Sequence, residues 1–257
     1  MKTQNENNTN CGEKGSFSRE IPFLSSSDIK RIREILPDHV SGKRLVHTYG
    51  VERESLSLAS VFGFSEEDTL RLQAAALLHD ITKQLTPEEH RALCEKYALP
   101  CGEIERRSPK LYHAVTGAAA AEDLFPQVCT GVLTDALRRH TLGHPEMTLF
   151  EALLYLADYI EPTRTFEDCV RLRRFFYGGL HDPEARISAS PAEKTKFSPY
   201  TPVTSLDPSD ALSSLLLKTL IYSYDLTIGC LMADGSPIHP TTVSARNALI
   251  NVFPAEE

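Results

Sequence analysis

The chain has 257 residues, 41% of them hydrophobic and 24% charged, which is a globular composition long enough for one large domain or a domain with a small appendage. Its 35 acidic residues outweigh 27 basic ones, and no basic stretch reaches nucleic-acid-patch length, so general DNA or RNA binding is excluded. Six scattered cysteines form no CxxC pair, which removes zinc-finger and thioredoxin readings.

The first 20 residues, MKTQNENNTNCGEKGSFSRE, are rich in Asn, Glu and Ser, and a disordered tail over 1–24 is expected. They contain no secretory apolar core, and no run in the chain approaches the ~20 apolar residues of a membrane span. The expectation is a reduced, soluble, cytoplasmic protein without a membrane partner.

Helix signals then recur. SSSDIKRIREIL offers serine caps and sets Ile29, Ile32, Ile35 and Leu36 on one face. SGKRLVHTYGVERESLSLASVF reads as a longer helix ending near Gly63. SEEDTLRLQAAALLHD opens on Ser65 as N-cap and carries Leu70, Ala74, Leu77 and Leu78. TPEEHRALCEKYAL has a threonine cap, a proline at the first helical position and early glutamates. Further helices are predicted over 109–124, 130–141, 148–160 and 166–176, with Thr148 and Glu151 spaced as a capping box and Pro162 as the stop after Asp158. Residues 181–205 hold prolines, serines and threonines and read as an insertion or linker. Helical periodicity resumes over 208–232 and again over 241–251, in a section too small for its own core that is expected to pack back on the bundle. Strand signals are poor throughout, so the expected fold is all-α.

Six residues share one chemistry: His47, His79, Asp80, His113, His140 and Asp158. Each group falls on a separate predicted helix, and a bundle can project such side chains into one pocket. A lone helical histidine is more often a packed or surface residue than a ligand. Asp80 and Asp158 are more telling, because they sit in the apolar runs AAALLHD and LLYLADYI. A buried carboxylate without a partner costs several kcal/mol. Histidine and carboxylate together suit iron, manganese, cobalt, nickel or zinc, and the lack of cysteine ligands argues against structural zinc.

The ordered pattern H…HD…H…H…D resembles that of the HD-domain metal-dependent phosphohydrolases. The blocks RLVHTYGV (44–51), ALLHDITK (76–83), LYHAVTGA (111–118), RHTLGHPEMT (139–148), YLADYIEPTR (155–164) and IHPTTVSARNALI (238–250) are similar to the YqeK-type subgroup, the symmetrical bis(5′-nucleosyl)-tetraphosphatases. The resemblance implies an HD-domain helical bundle over 25–180 with a C-terminal helical extension over 206–257, while the linker over 181–205 and the N-terminal tail are atypical of the family. It implies cleavage of diadenosine tetraphosphate into two ADP. It implies His47, His79, Asp80 and Asp158 as ligands of one metal, iron first, with manganese, cobalt or another divalent ion as alternatives. His113, His140, Thr141, Lys83 and Arg164 then contact phosphate, with Asp80 and Lys83 as the catalytic pair. A second ion at His113 and His140, bridged by Asp80, stays open, as does a homodimer. Where family members read close to HTTGR, this chain has HTLGH, so Leu142 and His144 replace a threonine and an arginine. His39, His90, His181 and His239 fall outside the constellation and are expected on the surface. The competing readings are another HD phosphohydrolase acting on a nucleotide or cyclic dinucleotide, an oxygen-activating di-iron enzyme, and a non-catalytic nucleotide-binding module.

Overall fold

A computed structural model describes residues 24–182 and 197–255. The tail expected over 1–24 thus lies, but for Leu24, outside the described residues, as does the 183–196 portion of the expected linker. Eleven α-helices are described: α1 (Ser26–Ile35), α2 (Gly42–Val61), α3 (Glu66–Leu78), α4 (Pro87–Lys96), α5 (Glu103–Arg107), α6 (Tyr112–Leu124), α7 (Val132–Arg139), α8 (Leu149–Ile160), α9 (Glu167–Leu180), α10 (Ala211–Ala233) and α11 (Pro240–Ile250). Among the described residues the only extended pairing is an isolated bridge between Thr148 and Pro202, so the all-α expectation holds.

Local chemistry starts three of these helices at the caps that the sequence offers. The hydroxyl of Ser65 accepts from the Asp68 amide at 3.1 Å, and that of Thr86 from the Glu89 amide at 3.2 Å. Thr148 and Glu151 complete the predicted capping box, with the Thr148 amide donating to Glu151 at 2.6 Å. α2 ends just before Gly63, whose φ of +66° lies in the left-handed region that glycine enters without strain.

α8 organises the core. Leu149, Phe150, Ala152, Leu153, Leu154, Leu156, Ala157 and Ile160 are all buried, a helix apolar on every side. It packs on α2, α3, α7, α9 and α10. α10 in turn packs on α9 and α11. By length and composition α10 passes as a membrane span, contrary to the expectation from sequence. Its apolar residues Leu215, Leu216, Leu217, Leu220 and Tyr224 are buried against the rest of the protein.

The described end of the linker forms a strap across the start of α8. The carbonyls of Thr201 and Pro199 accept from the Leu149 and Phe150 amides at 2.8 and 2.9 Å, and the Val203 amide donates to Met147 at 2.8 Å. These bonds satisfy amides that a helix N-terminus leaves open. Phe197 stands edge-on to Phe62 at 5.7 Å, and the Tyr200 hydroxyl donates to Asp68 at 2.8 Å.

Candidate metal centre and active site

The His79–Asp80 pair lies beyond a helix, not on one. α3 stops at Leu78, and tight turns follow, with the Ile81, Lys83 and Leu85 amides donating to Leu78, Asp80 and Thr82 at 3.1, 2.8 and 3.1 Å. These three-residue windings turn Lys83 back until its Nζ is 3.8 Å from Asp80 Oδ1. His47 comes from α2, His113 from the first turn of α6, and Asp158 from the last turn of α8. His140 caps the end of α7, just past the last helical residue Arg139, where the sequence places it inside a helix running to 141.

The six candidates converge. His47 Nε2 lies 3.0 Å from Asp158 Oδ1 and 3.6 Å from Asp80 Oδ2. His79 Nε2 lies 3.3 Å from Asp80 Oδ2 and 3.7 Å from Asp158 Oδ1. On the other side of Asp80, Oδ1 is 3.3 Å from His113 Nε2 and 4.0 Å from His140 Nε2. The two Nε2 atoms of His113 and His140 face each other at 3.0 Å. Two groups of three side chains thus have metal-holding geometry, His47–His79–Asp80 and Asp80–His113–His140, with Asp80 common to both.

Each ring is fixed from behind. Nδ1 of His79, His113 and His140 donates to the carbonyl three residues earlier, of Ala76, Lys110 and Leu137, at 2.7, 2.6 and 2.7 Å. His47 Nδ1 donates to Glu161 Oε1 at 2.9 Å. These acceptors carry no proton of their own, so each imidazole holds its hydrogen on Nδ1 and turns a bare Nε2 lone pair inward. Four lone pairs and two carboxylates then face one another across a few ångströms. Nε2 of His47 and of His79 are buried and have no hydrogen-bond partner. The cations around the cluster, Arg44, Lys83 and Arg164, reach its carboxylates but not these two nitrogens, which face Asp80 and Asp158 and fit a metal ion.

Local fields favour the ligand form at Asp80, Asp158, His113 and His140 and oppose it at His47, where Asp158 and Glu161 raise the imidazole against its burial. Burial alone would raise the Asp80 carboxyl, but His79, Lys83 and His113 beside it hold it well below the usual carboxylate range. Asp158 is likewise held low against its burial, chiefly by Arg164, whose guanidinium donates to Oδ1 at 2.7 Å. Burial pushes the His140 imidazole down to about 4, with His79 adding to it, and burial with Lys83 pushes His113 the same way. Burial also lowers the Lys83 ammonium, against the pull of Asp80.

The other sequence candidates lie at the rim. Lys83 Nζ is 3.0 Å from His113 Nε2, and Thr141 Oγ1 lies 3.0 Å from the same atom. A cavity of about 320 Å³ opens here, lined by Lys83, His140, Thr141, Asp158 and Arg164 on one side. Thr227, Cys230 and Asp234 from α10 and the turn after it, with His239, form its far wall.

Three participants escaped the sequence reading. Arg44 donates to Asp80 Oδ2 at 2.6 Å, and it stands one helical turn before His47, a spacing that could have flagged it. Glu161 is fully buried and also accepts from the Thr163 amide and hydroxyl at 2.7 and 2.6 Å. Gly50 makes room for it. A Cβ at that position would collide with Glu161 Oε2 and lie 2.9 Å from its Cδ. Among the outlying histidines, His39 and His181 are exposed as expected, but His90 is buried, stacked 5.8 Å from Tyr112 with Nδ1 2.9 Å from Thr116 Oγ1. α4 packs on α6 there and leaves no solvent on that face. His239 is half-buried and caps α11, its Nδ1 accepting from the Thr241 amide at 3.1 Å.

Residues 44–163 match the HD domain. A protein of Bacillus subtilis named symmetrical bis(5′-nucleosyl)-tetraphosphatase is 34% identical over 143 residues, 56% of this chain and 72% of the relative. One of the same name from Halalkalibacterium halodurans is 32% identical over 217 residues, covering 84% of this chain and 94% of the relative. The crystal structure of a Clostridium acetobutylicum protein, described as a predicted HD superfamily hydrolase involved in NAD metabolism, superposes with a TM-score of 0.66 at 26% identity over 89% of this chain and 98% of that one. The chain belongs to the HD-domain family of the symmetrical bis(5′-nucleosyl)-tetraphosphatases.

Proposed function

We propose that this protein hydrolyses diadenosine tetraphosphate symmetrically, giving two ADP, with one divalent ion held by His47, His79, Asp80 and Asp158. The observation that carries the reading is the inward-facing acceptor cluster, with two orphaned histidine nitrogens, in a chain whose relatives bear the name of that activity. Two imidazoles and two carboxylates suit iron, with manganese or cobalt as alternatives. Such an ion, when bound, polarises a phosphoryl oxygen and lowers the pKa of water from 15.7 toward ~7.

The chain's own groups supply the rest. Arg44 and Arg164 each rest one donor on a cluster carboxylate, and a guanidinium has five, which leaves N–H groups for phosphate oxygens. Lys83 brings a second cation to Asp80 and is positioned to stabilise charge on the departing ADP. Asp80, kept ionised, anchors the centre of this arrangement and with Lys83 forms the catalytic pair. His140 and Thr141 line the cavity on the substrate side, and His113 lies behind them, its Nε2 3.0 Å from Thr141 Oγ1. A second ion between Asp80, His113 and His140 is the alternative, favoured by the facing Nε2 lone pairs. The five free cysteines among the described residues support a reducing compartment, the cytoplasm.

Metal-reconstituted protein incubated with a panel of nucleotides, with products identified by mass, tests the proposal. ADP as sole product from diadenosine tetraphosphate is the expected result. ATP plus AMP would mean attack at an outer phosphate and would overturn the symmetrical cut. Turnover confined to mononucleotides or cyclic dinucleotides would assign a different HD phosphohydrolase.

A further inference from the structure

The candidate metal ligands stand between two clefts. Asp158 and His140 line the one under α10 and α11, while His47 lines a second, of about 770 Å³, between the start of α2 and residues 161–166. His47 and Asp158 are 3.0 Å apart, so both clefts border the cluster, and Arg164 alone of their lining residues belongs to both. The second cleft falls in the ordinary size range of ligand sites, roughly 300–1,000 Å³.

Its lining is unusual for bare surface. Phe166 is 69% exposed and Val46 is 55% exposed, both at this cleft. Phe166 occupies the N-cap of α9, a position that favours Ser, Thr, Asp or Asn, and its side chain makes no cap bond. It therefore serves neither the helix nor the core. Beside these apolar groups stand Lys43, which makes no ion pair among the described residues, and Arg44. The one acid lining the cleft, Glu161, is committed to His47 and Thr163. An aromatic platform next to an unpaired lysine and an arginine with donors to spare has the chemistry of a purine nucleotide site.

We infer that this second cleft holds one nucleoside diphosphate half of the substrate, its base stacked on Phe166 against Val46 and its phosphates on Lys43 and Arg44, while the other half occupies the cleft under α10 and α11. The inference rests on the proposed cleavage of a dinucleoside tetraphosphate and adds a reason for its symmetry. Each product carries one nucleoside and two phosphates, so the attacked bond must have equal reach to a nucleoside site on either side. Two clefts that both border the cluster provide that reach.

The test uses ADP as probe in calorimetric titration of the whole metal-loaded chain, alongside Phe166→Ala, Lys43→Gln and the double variant. Both positions are exposed, and unchanged melting temperatures confirm folding. Wild-type protein is expected to bind two ADP per chain and the double variant one. In steady state, Phe166→Ala is expected to raise KM for diadenosine tetraphosphate about tenfold, the size of one lost base–aromatic stack. The preference for diadenosine tetraphosphate over adenosine tetraphosphate, which has a single nucleoside, should fall by the same factor. A single ADP site in the wild type, or a double variant that keeps both sites and the wild-type KM, would overturn the inference. So would a Phe166→Ala protein whose only change is from dimer to monomer in sedimentation, which would make the face an interface between copies. A wild type that cleaves no dinucleoside polyphosphate, yet loses one of two ADP sites in the double variant, would sink the proposed activity and leave the second cleft standing.

Discussion

Replacing Gly50 with alanine puts a methyl group into space that the Glu161 carboxylate occupies, 2.9 Å from its Cδ. Neither partner can yield easily. Gly50 is inside α2, and Glu161 is fully buried with its oxygens committed to His47 and Thr163. Overpacking of this kind costs about 1–3 kcal/mol. Displacing the carboxylate from His47 Nδ1 loses a charge-assisted hydrogen bond, ~1.5–3 kcal/mol. Exchanging glycine for alanine in a helix returns about 1 kcal/mol, so a net loss of about 1.5–5 kcal/mol is expected. In a domain of this size that lowers the melting temperature by roughly 3–20 °C. The site should suffer as well. With its rear support gone, the His47 ring is free to rotate, and metal affinity should fall ~10–100-fold, the usual price of losing such a partner. Thermal melts of metal-free protein and metal titrations measure the two effects separately. Gly50→Ala/Glu161→Asp, which shortens the acid by one methylene, should recover part of the melting temperature. A Gly50→Ala protein with wild-type melting and metal affinity would refute the view that Glu161 is wedged behind His47.

Asp80→Ala should lose bound metal by elemental analysis and nearly all turnover while helical circular dichroism survives, since Asp80 is common to both metal-holding groups. His113→Ala and His140→Ala should raise KM or slow kcat with metal content unchanged; a fall from two ions per chain to one would establish the dinuclear form. Lys83→Met and Arg164→Met should each slow turnover about tenfold, ~1.4 kcal/mol of transition-state stabilisation, in single-turnover assays. Without metal, stability should fall as pH drops from 6.5 toward 4. Over that window unfolded chains protonate His140 while the folded imidazole, pushed down to about 4, stays neutral, so the unfolded state binds more protons. Denaturant midpoints at successive pH values should show the slope, His140→Gln should flatten it, and a wild-type midpoint constant across the window would contradict the assignment.

Much of the helical framework was legible because its signals are local. Ser65, Thr86 and Thr148 announce their helices through hydroxyls that reach only three residues along the chain. The cluster was legible as an ordered set of residue types, since Asp80 and Asp158 stand out in apolar runs. What escaped depends on packing between distant segments. Glu161 reads as a helix-end acid until α2 brings His47 against it from 114 residues away. His90 reads as a surface histidine until α6 covers it. The turns that carry His79 and Asp80 continue an apolar helical pattern without any glycine or proline to mark the break.

The strap over α8 separates two requirements that most enzymes must reconcile. Its bonds hold the Leu149 end of α8, while Asp158 sits nine residues on, roughly 14 Å along the axis. Chain entering at 197 is therefore tied down before it can pull on the cluster, and chain leaving at 182 follows a helix packed on α8. The stretch between those anchors is accordingly the place in this protein to graft a fluorophore-bearing peptide, an affinity handle or a protease site, with the chemistry at the opposite end of α8 left undisturbed.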